Sequence, residues 1–393
     1  MAKIRSFMDE NLKNKVVLLR TDFNVPTKGN KITDFTRINE SIPTIKALIE
    51  KQATIIILTH RGRPNGKIDM KLSMVPVAKE VENIIQKPIE FIDNIGEKID
   101  NNPEKIFMLE NIRFDGREEK NEMSFAEELS KMADIFINDA FSVSHRSHAS
   151  LCGIPRFLPS YFGLCMSKEI KALQNSLNKP KEPFIGIIGG SKISTKISVL
   201  KNLINKVNIM VIGGAMANTF LRAKDINVGS SLYESDSLDI AKDIMKNAKE
   251  KNVKLILPVD GKVSKSFSKS ELSKNKNLDE IEPDDMILDL GIESIKIILS
   301  ELEIAKTVIW NGPLGAIEYP PFDQSTIAVA KELARNCRIK NIKAVAGGGD
   351  TVYGINLANC IEDFTHVSTA GGAFLEWLEG KTLPGVSAIL NKQ

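Results

Sequence analysis

Arginine and histidine residues recur directly after short β-branched runs in the first half of the chain. They lie in residues 20–26, 59–64, 110–114 and 138–148, and Arg37 lies between the first two of these segments. A planar guanidinium binds phosphate or carboxylate oxygens in pairs, so several together suit a small ion with more than one negative charge. One arginine alone more often pairs with a surface carboxylate, and a lone His60 is more often structural. Together they predict an anion site.

Glycine turns recur in the same way in the second half. Gly189-Gly190-Ser191-Lys192 follows a β-branched run and is predicted to open a helix, with Lys196 one turn later on the same face. Similar turns occupy residues 213–216, 312–315, 347–351 and 371–373, the last predicted to open a final helix. Glycine allows phosphate to approach backbone N–H groups, and a helix N-terminus adds partial positive charge. A single glycine turn often serves only to allow close packing of a helix on a sheet, but five such turns together favour a nucleotide site.

Asp350 follows three consecutive glycines and is the best metal-binding candidate in this half. Mg²⁺ usually takes one or two carboxylates together with phosphate oxygens. The sequence has no Gly-x-x-x-x-Gly-Lys-Ser/Thr pattern, so it is not a P-loop protein. The turn after the first predicted strand also lacks Gly-x-Gly-x-x-Gly, which argues against dinucleotide binding.

The segments that precede these polar residues are predicted to be strands that alternate with amphipathic helices. This alternation predicts the α/β class, with parallel sheets covered by helices on both faces. In such sheets ligands bind at the carboxyl ends of the strands, where the polar residues lie. The predicted strands are residues 16–20, 54–59, 106–109, 135–138, 184–188, 209–212, 253–257, 307–310 and 342–346.

Length and composition agree with a globular protein of two or three domains. The chain has 393 residues, of which 42% are hydrophobic and 26% charged, and a formal net charge of +3. This charge is too small to indicate nucleic acid or a membrane surface as a partner. Four widely spaced cysteines, no apolar N-terminal run and no bilayer-length apolar stretch predict a cytoplasmic protein. Residues 178–183, with two prolines and three charges, are predicted to be a linker.

In combination, these motifs resemble the phosphoglycerate kinase family over nearly the whole chain, from Arg20 to Gly372. The segments that carry the resemblance are RTDFNVP, THRGRP, LENIRF, NDAFSVSHRSHAS, GGSKISTK, GPLGAIE and GGGDT. The resemblance implies reversible phosphoryl transfer from 1,3-bisphosphoglycerate to ADP, in glycolysis and gluconeogenesis. Because the transition state is loose and spreads charge over three equatorial oxygens, catalysis would consist mainly of positioning and electrostatic stabilisation.

The resemblance also implies a role for individual residues. Phosphoglycerate would be bound by Asp22, Phe23, Asn24, Arg37, His60, Arg61, Gly62, Arg63, Arg113 and Arg146. The nucleotide would be bound by Lys196, Glu318, Gly348, Gly349, Asp350 and Thr351, with Asp350 on the Mg²⁺ of the Mg-ADP or Mg-ATP complex. The moving phosphoryl group would be neutralised by Arg37, Lys192, Gly371 and Gly372.

Two doubly wound, Rossmann-like domains joined by a helical hinge are implied by the same resemblance. Residues 1–168 would bind phosphoglycerate, residues 169–378 would hold the hinge helix and the nucleotide site, and residues 379–393 would return to the first domain. Direct in-line transfer would require the domains to close about the hinge. The expected partners are the small-molecule substrates alone, with no nucleic acid and no membrane, and a monomer is expected.

Three positions depart from the family pattern, and three other functions stay open. The departures are Ala370 for a glycine, Ser142-Val143 for Gly-Thr, and Phe374 for a small residue. The alternatives are a kinase for another carboxylate, an NAD-dependent oxidoreductase and a non-enzymatic binding module. A lone carboxylate needs fewer arginines, and a binding module would leave Lys192, Lys196 and Asp350 without a joint purpose.

Overall fold

The chain divides into two compact units, which are seen in a computed structural model. The structure describes residues 4–29, 31–93, 95–96, 98–99, 101–103, 105–177, 179–267 and 273–390. Unit 1 runs to Lys171 and includes the residues from Thr382 onward, and unit 2 is Ala172–Lys381. The division therefore falls upstream of the predicted linker at 178–183. Within that linker Asn178 lies outside the described residues, as do residues 391–393 of the predicted tail.

Unit 1 is built from alternating strands and helices. Its elements are β1 Val16–Arg20, β2 Thr27–Lys28, β3 Lys31–Ile32, α1 Thr36–Glu50, β4 Thr54–Leu58, α2 Val75–Ile85, β5 Ile89–Ile92, β6 Ile106–Leu109, α3 Gly116–Glu119, α4 Met123–Ser130, β7 Ile135–Asn138, β8 Ser160–Phe162 and the first part of α5 Leu164–Leu177. A π-helical turn, Ala149–Gly153, lies between β7 and β8. Helix α13, Pro384–Leu390, also belongs to this unit.

The main sheet of unit 1 has six parallel strands in the order β5-β6-β4-β1-β7-β8. Strands β1, β4, β6 and β7 are buried along their whole length, which explains their continuous apolar runs. The chain winds outward from β1 in one direction and then resumes beside it at β7. The carboxyl ends of β1 and β7 therefore form the topological switch point, where ligands bind in open α/β sheets.

Unit 2 repeats this architecture and adds a small antiparallel sheet. Its elements are β9 Phe184–Ile188, α6 Ile197–Leu203, β10 Ile209–Ile212, α7 Ala215–Ala223, α8 Leu238–Glu250, β11 Lys254–Ile256, β12 Asp260–Ser264, β13 Lys274–Asn277, β14 Met286–Leu290, α9 Ile292–Ile304, β15 Thr307–Asn311, α10 Gln324–Lys340, β16 Lys343–Gly347, α11 Gly349–Leu357, β17 His366–Ser368 and α12 Gly372–Leu378.

Six parallel strands of unit 2 run in the order β11-β10-β9-β15-β16-β17, and the antiparallel sheet has the order β13-β12-β14. The switch point lies between β9 and β15, because the chain winds outward from β9 to β11 and later resumes at β15. Both main sheets are parallel and covered by helices, so the predicted α/β class with two doubly wound sheets is confirmed. Among the described residues, no helix has the length and apolar character needed to span a bilayer.

Two predictions about helix positions are wrong. Gly189 to Lys192 do not open a helix, because α6 begins only at Ile197, with Lys196 as its N-cap residue. The intervening turn is held by Glu234, which accepts hydrogen bonds from the Ser194 backbone N–H at 3.0 Å and from its hydroxyl at 2.6 Å. The helix that begins at Gly372 is not the last one, because α13 follows it.

Candidate active site

At the switch point of unit 1, neighbouring groups donate hydrogen bonds to the carboxylate of Asp22. This buried side chain follows β1, and its Oδ2 accepts a hydrogen bond from Arg37 of α1 at 2.7 Å. The same oxygen accepts a hydrogen bond from the hydroxyl of Ser142, which follows β7. Its Oδ1 accepts the backbone N–H of Asn24 at 3.1 Å. Asp22 therefore fixes an arginine whose side chain is 35% exposed and so remains open to a ligand.

The loops after β1, β4 and β6 are joined to one another by backbone contacts of Gly62. Its N–H donates to Asn24 Oδ1 at 2.9 Å, and its carbonyl oxygen accepts from Arg113 at 2.8 Å. Gly62 has φ +64°, in the left-handed region, and a Cβ there would lie 2.8 Å from the Leu72 side chain. Glycine is therefore favoured at the point where the three predicted substrate segments meet.

His60 and Arg20 form a buried pair beneath these loops. Arg20 donates from Nη2 to His60 Nδ1 at 3.3 Å, and both side chains are almost fully buried. Burial, reinforced by the charges of Arg20 and Arg113, holds the pKa of His60 well below its ordinary value. Because arginine can only donate, Nδ1 of His60 must be the acceptor, and the remaining proton of the neutral ring lies on Nε2.

The other residues predicted to bind the substrate differ in how far their side chains are available to a ligand. Phe23 is fully buried in the core, so only its backbone can reach a ligand. Arg61 is also buried and donates to the Ser73 carbonyl at 3.1 Å and the Thr27 hydroxyl at 2.5 Å, which gives it a structural role. Arg63 is exposed and Arg146 partly exposed, and neither guanidinium is paired within the part of the chain described. These two are the cations most available to an anion.

In unit 2 the glycine turns at the switch point pack backbone against backbone. The N–H of Gly190 donates to the Pro313 carbonyl, and the N–H of Gly214 donates to the Leu314 carbonyl, at 3.0 and 2.8 Å. A Cβ at Gly189 would lie 2.0 Å from the Pro313 oxygen. No side chain fits at such a distance, so these glycines are required for close contact between neighbouring turns.

A cavity of about 380 Å³ opens beside these turns. One wall is backbone from Gly190, Gly214 and Pro313, and apolar side chains such as Leu232 and Met286 form another. The acidic side chains of Glu318 and Asp350 lie at this cavity. Its volume and its mixed apolar and polar lining suit a small organic ligand that carries polar groups.

Lys196 is held at the end of β15 by Asn311. Its Nζ donates to Asn311 Oδ1, and Asn311 Nδ2 in turn donates to the Gly347 carbonyl at 2.7 Å. Burial lowers the pKa of Lys196 to about 8, although Asp350 and Glu379 oppose this effect by favouring the charged form. The ammonium group is therefore partly desolvated and interacts electrostatically with the candidate metal ligand.

The remaining residues predicted to bind the nucleotide or to act in catalysis either lie on exposed turns or are buried where two turns pack together. Asp350 and Glu318 are exposed and form no hydrogen bond or ion pair within the described ranges, and the same holds for the Lys192 side chain. Thr351 is buried, and its hydroxyl accepts the Gly312 N–H at 2.6 Å. Four glycines complete the set: Gly348 precedes α11 with φ +101°, Gly349 begins that helix, Gly371 caps α12 with φ +51°, and Gly372 begins it.

Two of the departures from the family pattern are accommodated by packing. The Phe374 ring is fully buried and lies against Gly347, where a Cβ would be 2.7 Å from Cδ1 of the ring. Ala370 is buried, and its N–H donates to the Ser368 hydroxyl at 3.3 Å. The third departure, Ser142, contributes its hydroxyl to Asp22.

Several residues of the site were not predicted from the sequence. Asn311 supports both Lys196 and the β16 turn, and Glu118 and Ser150 form a buried network below Arg20. Ser150 is the last residue of the NDAFSVSHRSHAS segment, but its role depends on a contact with Arg20, 130 residues away in sequence. A buried glutamate has no sequence signal that distinguishes it from an exposed one.

Comparison with known proteins agrees with this architecture. The sequence profile described as phosphoglycerate kinase matches residues 7–381. A phosphoglycerate kinase of Caulobacter sp. (strain K31) is 45% identical over 393 residues, which cover 98% of this chain and 99% of that protein. One from Bradyrhizobium diazoefficiens is 46% identical over 98% of both chains. The solved phosphoglycerate kinase of Coxiella burnetii is 37% identical, with a TM-score of 0.95, and covers 99% of this chain and 100% of its own.

With two doubly wound units, one with an arginine cluster and one with glycine turns around a cavity, the chain has the architecture of its relatives, and the family match identifies it as a phosphotransferase that acts on a carboxyl group. The chain belongs to the phosphoglycerate kinase family. Its reaction is the reversible, glycolytic transfer of a phosphoryl group between 1,3-bisphosphoglycerate and ADP. This agrees with the function expected from the motifs, and it rules out all three alternatives: a kinase for another carboxylate, an oxidoreductase and a binding module.

Proposed function

We propose that unit 1 binds 3-phosphoglycerate and 1,3-bisphosphoglycerate through the arginine cluster. Asp22 and Asn24 would hold the loops and accept hydrogen bonds from the substrate, while Arg37, Arg63 and Arg146 would pair with its anionic groups. The guanidinium groups of Arg63 and Arg146, which have no partner among the described residues, support this most directly, because an unneutralised group of cations favours a multiply charged anion. His60 would donate a hydrogen bond from Nε2 to the substrate, while Arg113, Gly62, Phe23 and Arg61 would shape the site and fix its loops.

Unit 2 would bind ADP and ATP in its cavity. The apolar wall suits a base, and the backbone of the glycine turns allows phosphates to approach N–H groups. Lys196 would supply positive charge to the phosphates, and Glu318 would accept hydrogen bonds from the ribose hydroxyls. Gly348, Gly349 and Thr351 would shape the phosphate end through the turn before α11.

Asp350 would hold the Mg²⁺ of the nucleotide complex. Its carboxylate is exposed at the cavity and is free of hydrogen bonds among the described residues, so it can bind a cation. A single carboxylate is sufficient, because Mg²⁺ in nucleotide sites takes its other ligands from phosphates and water. The bound ion would neutralise phosphate charge during transfer.

Transfer would proceed directly from one substrate to the other, without a covalent enzyme intermediate. Arg37 and Lys192 would stabilise the charge that develops on the equatorial oxygens of the moving phosphoryl group, together with the backbone at Gly371 and Gly372. Because Arg37 belongs to one unit and Lys192 to the other, we infer that the units close during the reaction. Closure would also exclude water, which would otherwise hydrolyse the acyl phosphate.

We also infer a cytoplasmic monomer that acts on small molecules and has no nucleic-acid or membrane partner. All four cysteines are free thiols, as expected in a reducing compartment. The net charge of +3 provides little attraction for a polyanion beyond the local arginine cluster.

An assay that couples 3-phosphoglycerate, ATP and Mg²⁺ to ADP release tests the proposed site. Wild type should be active, and Arg37→Ala should lose activity by a factor on the order of 10²–10³. The matched control is Arg335→Ala, which removes a surface ion pair with Glu303 and Glu332 on unit 2 and should leave the rate unchanged. Near-wild-type activity of Arg37→Ala would contradict the assignment.

A further inference from the structure

A fully buried carboxylate, Glu118, lies beneath the arginine cluster of unit 1 and has no role in the proposed chemistry. Its side chain is 0% exposed. Both oxygens are held by Ser150, since Oε2 accepts the backbone N–H at 2.8 Å and Oε1 accepts the hydroxyl at 2.6 Å. Burial raises the pKa of Glu118, and the charge of Arg20 opposes this by favouring the ionised form. A buried carboxylate is costly unless its charge and hydrogen bonds are satisfied.

Hydrogen bonds connect this carboxylate to His60 through two intermediate side chains. The Ser150 hydroxyl donates to Glu118 and accepts from Nε of Arg20 at 2.9 Å. The other end of the guanidinium donates from Nη2 to His60 Nδ1 at 3.3 Å. With Glu118 ionised, as the adjacent charge of Arg20 favours, every link has one direction, because arginine only donates and a carboxylate only accepts.

We propose that Glu118 is a positioning residue for phosphoglycerate binding. Through the Ser150 hydroxyl it holds Arg20 against His60 Nδ1, and so keeps the ring proton on Nε2 as a fixed donor for the substrate. The inference rests on the proposed role of His60 in phosphoglycerate binding.

The charged groups around the His60 ring explain why its proton must be held on Nε2. Asp22 Oδ1 lies 3.9 Å from the same Nδ1 of His60 and would attract a proton to that nitrogen. Donation from Arg20 excludes that arrangement, because Nδ1 must then present its lone pair. The buried His148 has its Nδ1 3.8 Å from Glu118 Oε1, and burial with the charges of Arg113 and Arg20 lowers the pKa of His148 to about 3. His148 is therefore neutral, and Arg20 is the cation that Glu118 balances.

A double-mutant cycle on 3-phosphoglycerate binding tests the proposal. Ser150→Ala breaks the connection but keeps both charges, and it should raise the Kd for 3-phosphoglycerate about 3- to 10-fold, the usual effect of one buried hydrogen bond. His60→Ala should raise the Kd by about tenfold. If Ser150 acts through His60, adding Ser150→Ala to His60→Ala should change the Kd by less than about twofold. Glu118→Gln is the second variant and should behave like Ser150→Ala.

The matched control is Ser160→Ala in the same unit, which removes a buried hydroxyl bonded to the Leu158 carbonyl at 2.7 Å. It should lower the melting temperature without changing the Kd. A ¹⁵N spectrum of the His60 ring gives an independent measurement: Nδ1 should be unprotonated in wild type, and its signal should move in Ser150→Ala. Additive effects of Ser150→Ala and His60→Ala would overturn the inference alone. An unchanged Kd in His60→Ala would instead overturn the role of His60, and the inference with it.

Discussion

Gly214 lies so close to Gly190 that a Cβ atom at Gly214 would be 2.5 Å from the Gly190 carbonyl oxygen. The two residues follow adjacent strands, β10 and β9, and Gly214 has φ +66°. Backbone contact between these turns forms one wall of the cavity in unit 2. Glycine is therefore needed here for the packing of the two turns.

Gly214→Ala should destabilise unit 2 by about 2–4 kcal/mol, because it combines overpacking with a left-handed backbone. Both tryptophans of the chain, Trp310 and Trp377, lie in unit 2, so urea unfolding followed by tryptophan fluorescence reports on this unit. Gly349→Ala is the control for stability, since a Cβ at that position meets no atom within 4 Å. Equal stability of the two variants would contradict the packing argument.

ADP affinity should fall as pH rises through about 8, because the pKa of Lys196 is lowered to that value by burial. Below this pH the side chain is charged and can pair with phosphate, and above it binding must first recover a proton. Calorimetric titration with ADP between about pH 6.5 and 9.5 measures the effect. Lys196→Arg should remove the decline, since arginine stays charged throughout this range. The same decline in both proteins would show that another group titrates.

Lys192→Ala should lower kcat by a factor on the order of 10²–10³ and change the KM of either substrate far less. The side chain is exposed and unpaired in the described part of the chain, so its removal should leave the melting temperature unchanged. Lys201→Ala, on the neighbouring helix α6, is the control. A kcat within a few-fold of wild type would be inconsistent with a transition-state role.

Asp350→Asn should raise the Mg²⁺ concentration required for half-maximal activity by about tenfold or more, with little effect on 3-phosphoglycerate binding. The amide keeps the shape of the side chain but loses its charge. Asp363→Asn, which disrupts the surface ion pair with Arg338, is the matched control and should leave the Mg²⁺ dependence unchanged. If Asp350→Asn has the Mg²⁺ dependence of wild type, the residue serves the start of α11 and not the metal.

Most of the parallel strands could be predicted closely from the sequence, because each is a continuous apolar run between turn residues. The edge strands β5, β8 and β17 were not predicted. Strands β1, β6, β7, β9 and β10 have the predicted bounds. The antiparallel sheet was not predicted, since β13 is the polar, mostly exposed segment Lys274–Asn277. Its extended conformation depends on pairing with β12, which lies outside the segment itself.

The charged residues of the site could be predicted by type, but their individual roles could not. Arg61 and Arg63 are neighbours in one motif, yet the first is buried in structural hydrogen bonds and the second is exposed. Helix α6 begins later than predicted because Glu234, a residue distant in sequence, satisfies the N–H of Ser194 in the turn. Contacts of this kind between distant segments have no local signal.

The central claim is that unit 1 binds phosphoglycerate and unit 2 binds the nucleotide, and one set of calorimetric titrations tests it directly. Arg63→Ala and Arg146→Ala should each weaken 3-phosphoglycerate binding by about tenfold or more, as expected for a charge-assisted hydrogen bond, and leave the ADP Kd within about twofold. Lys196→Ala should show the opposite pattern. If the two arginine variants weakened ADP binding as much as 3-phosphoglycerate binding, the proposed division between the units would be contradicted.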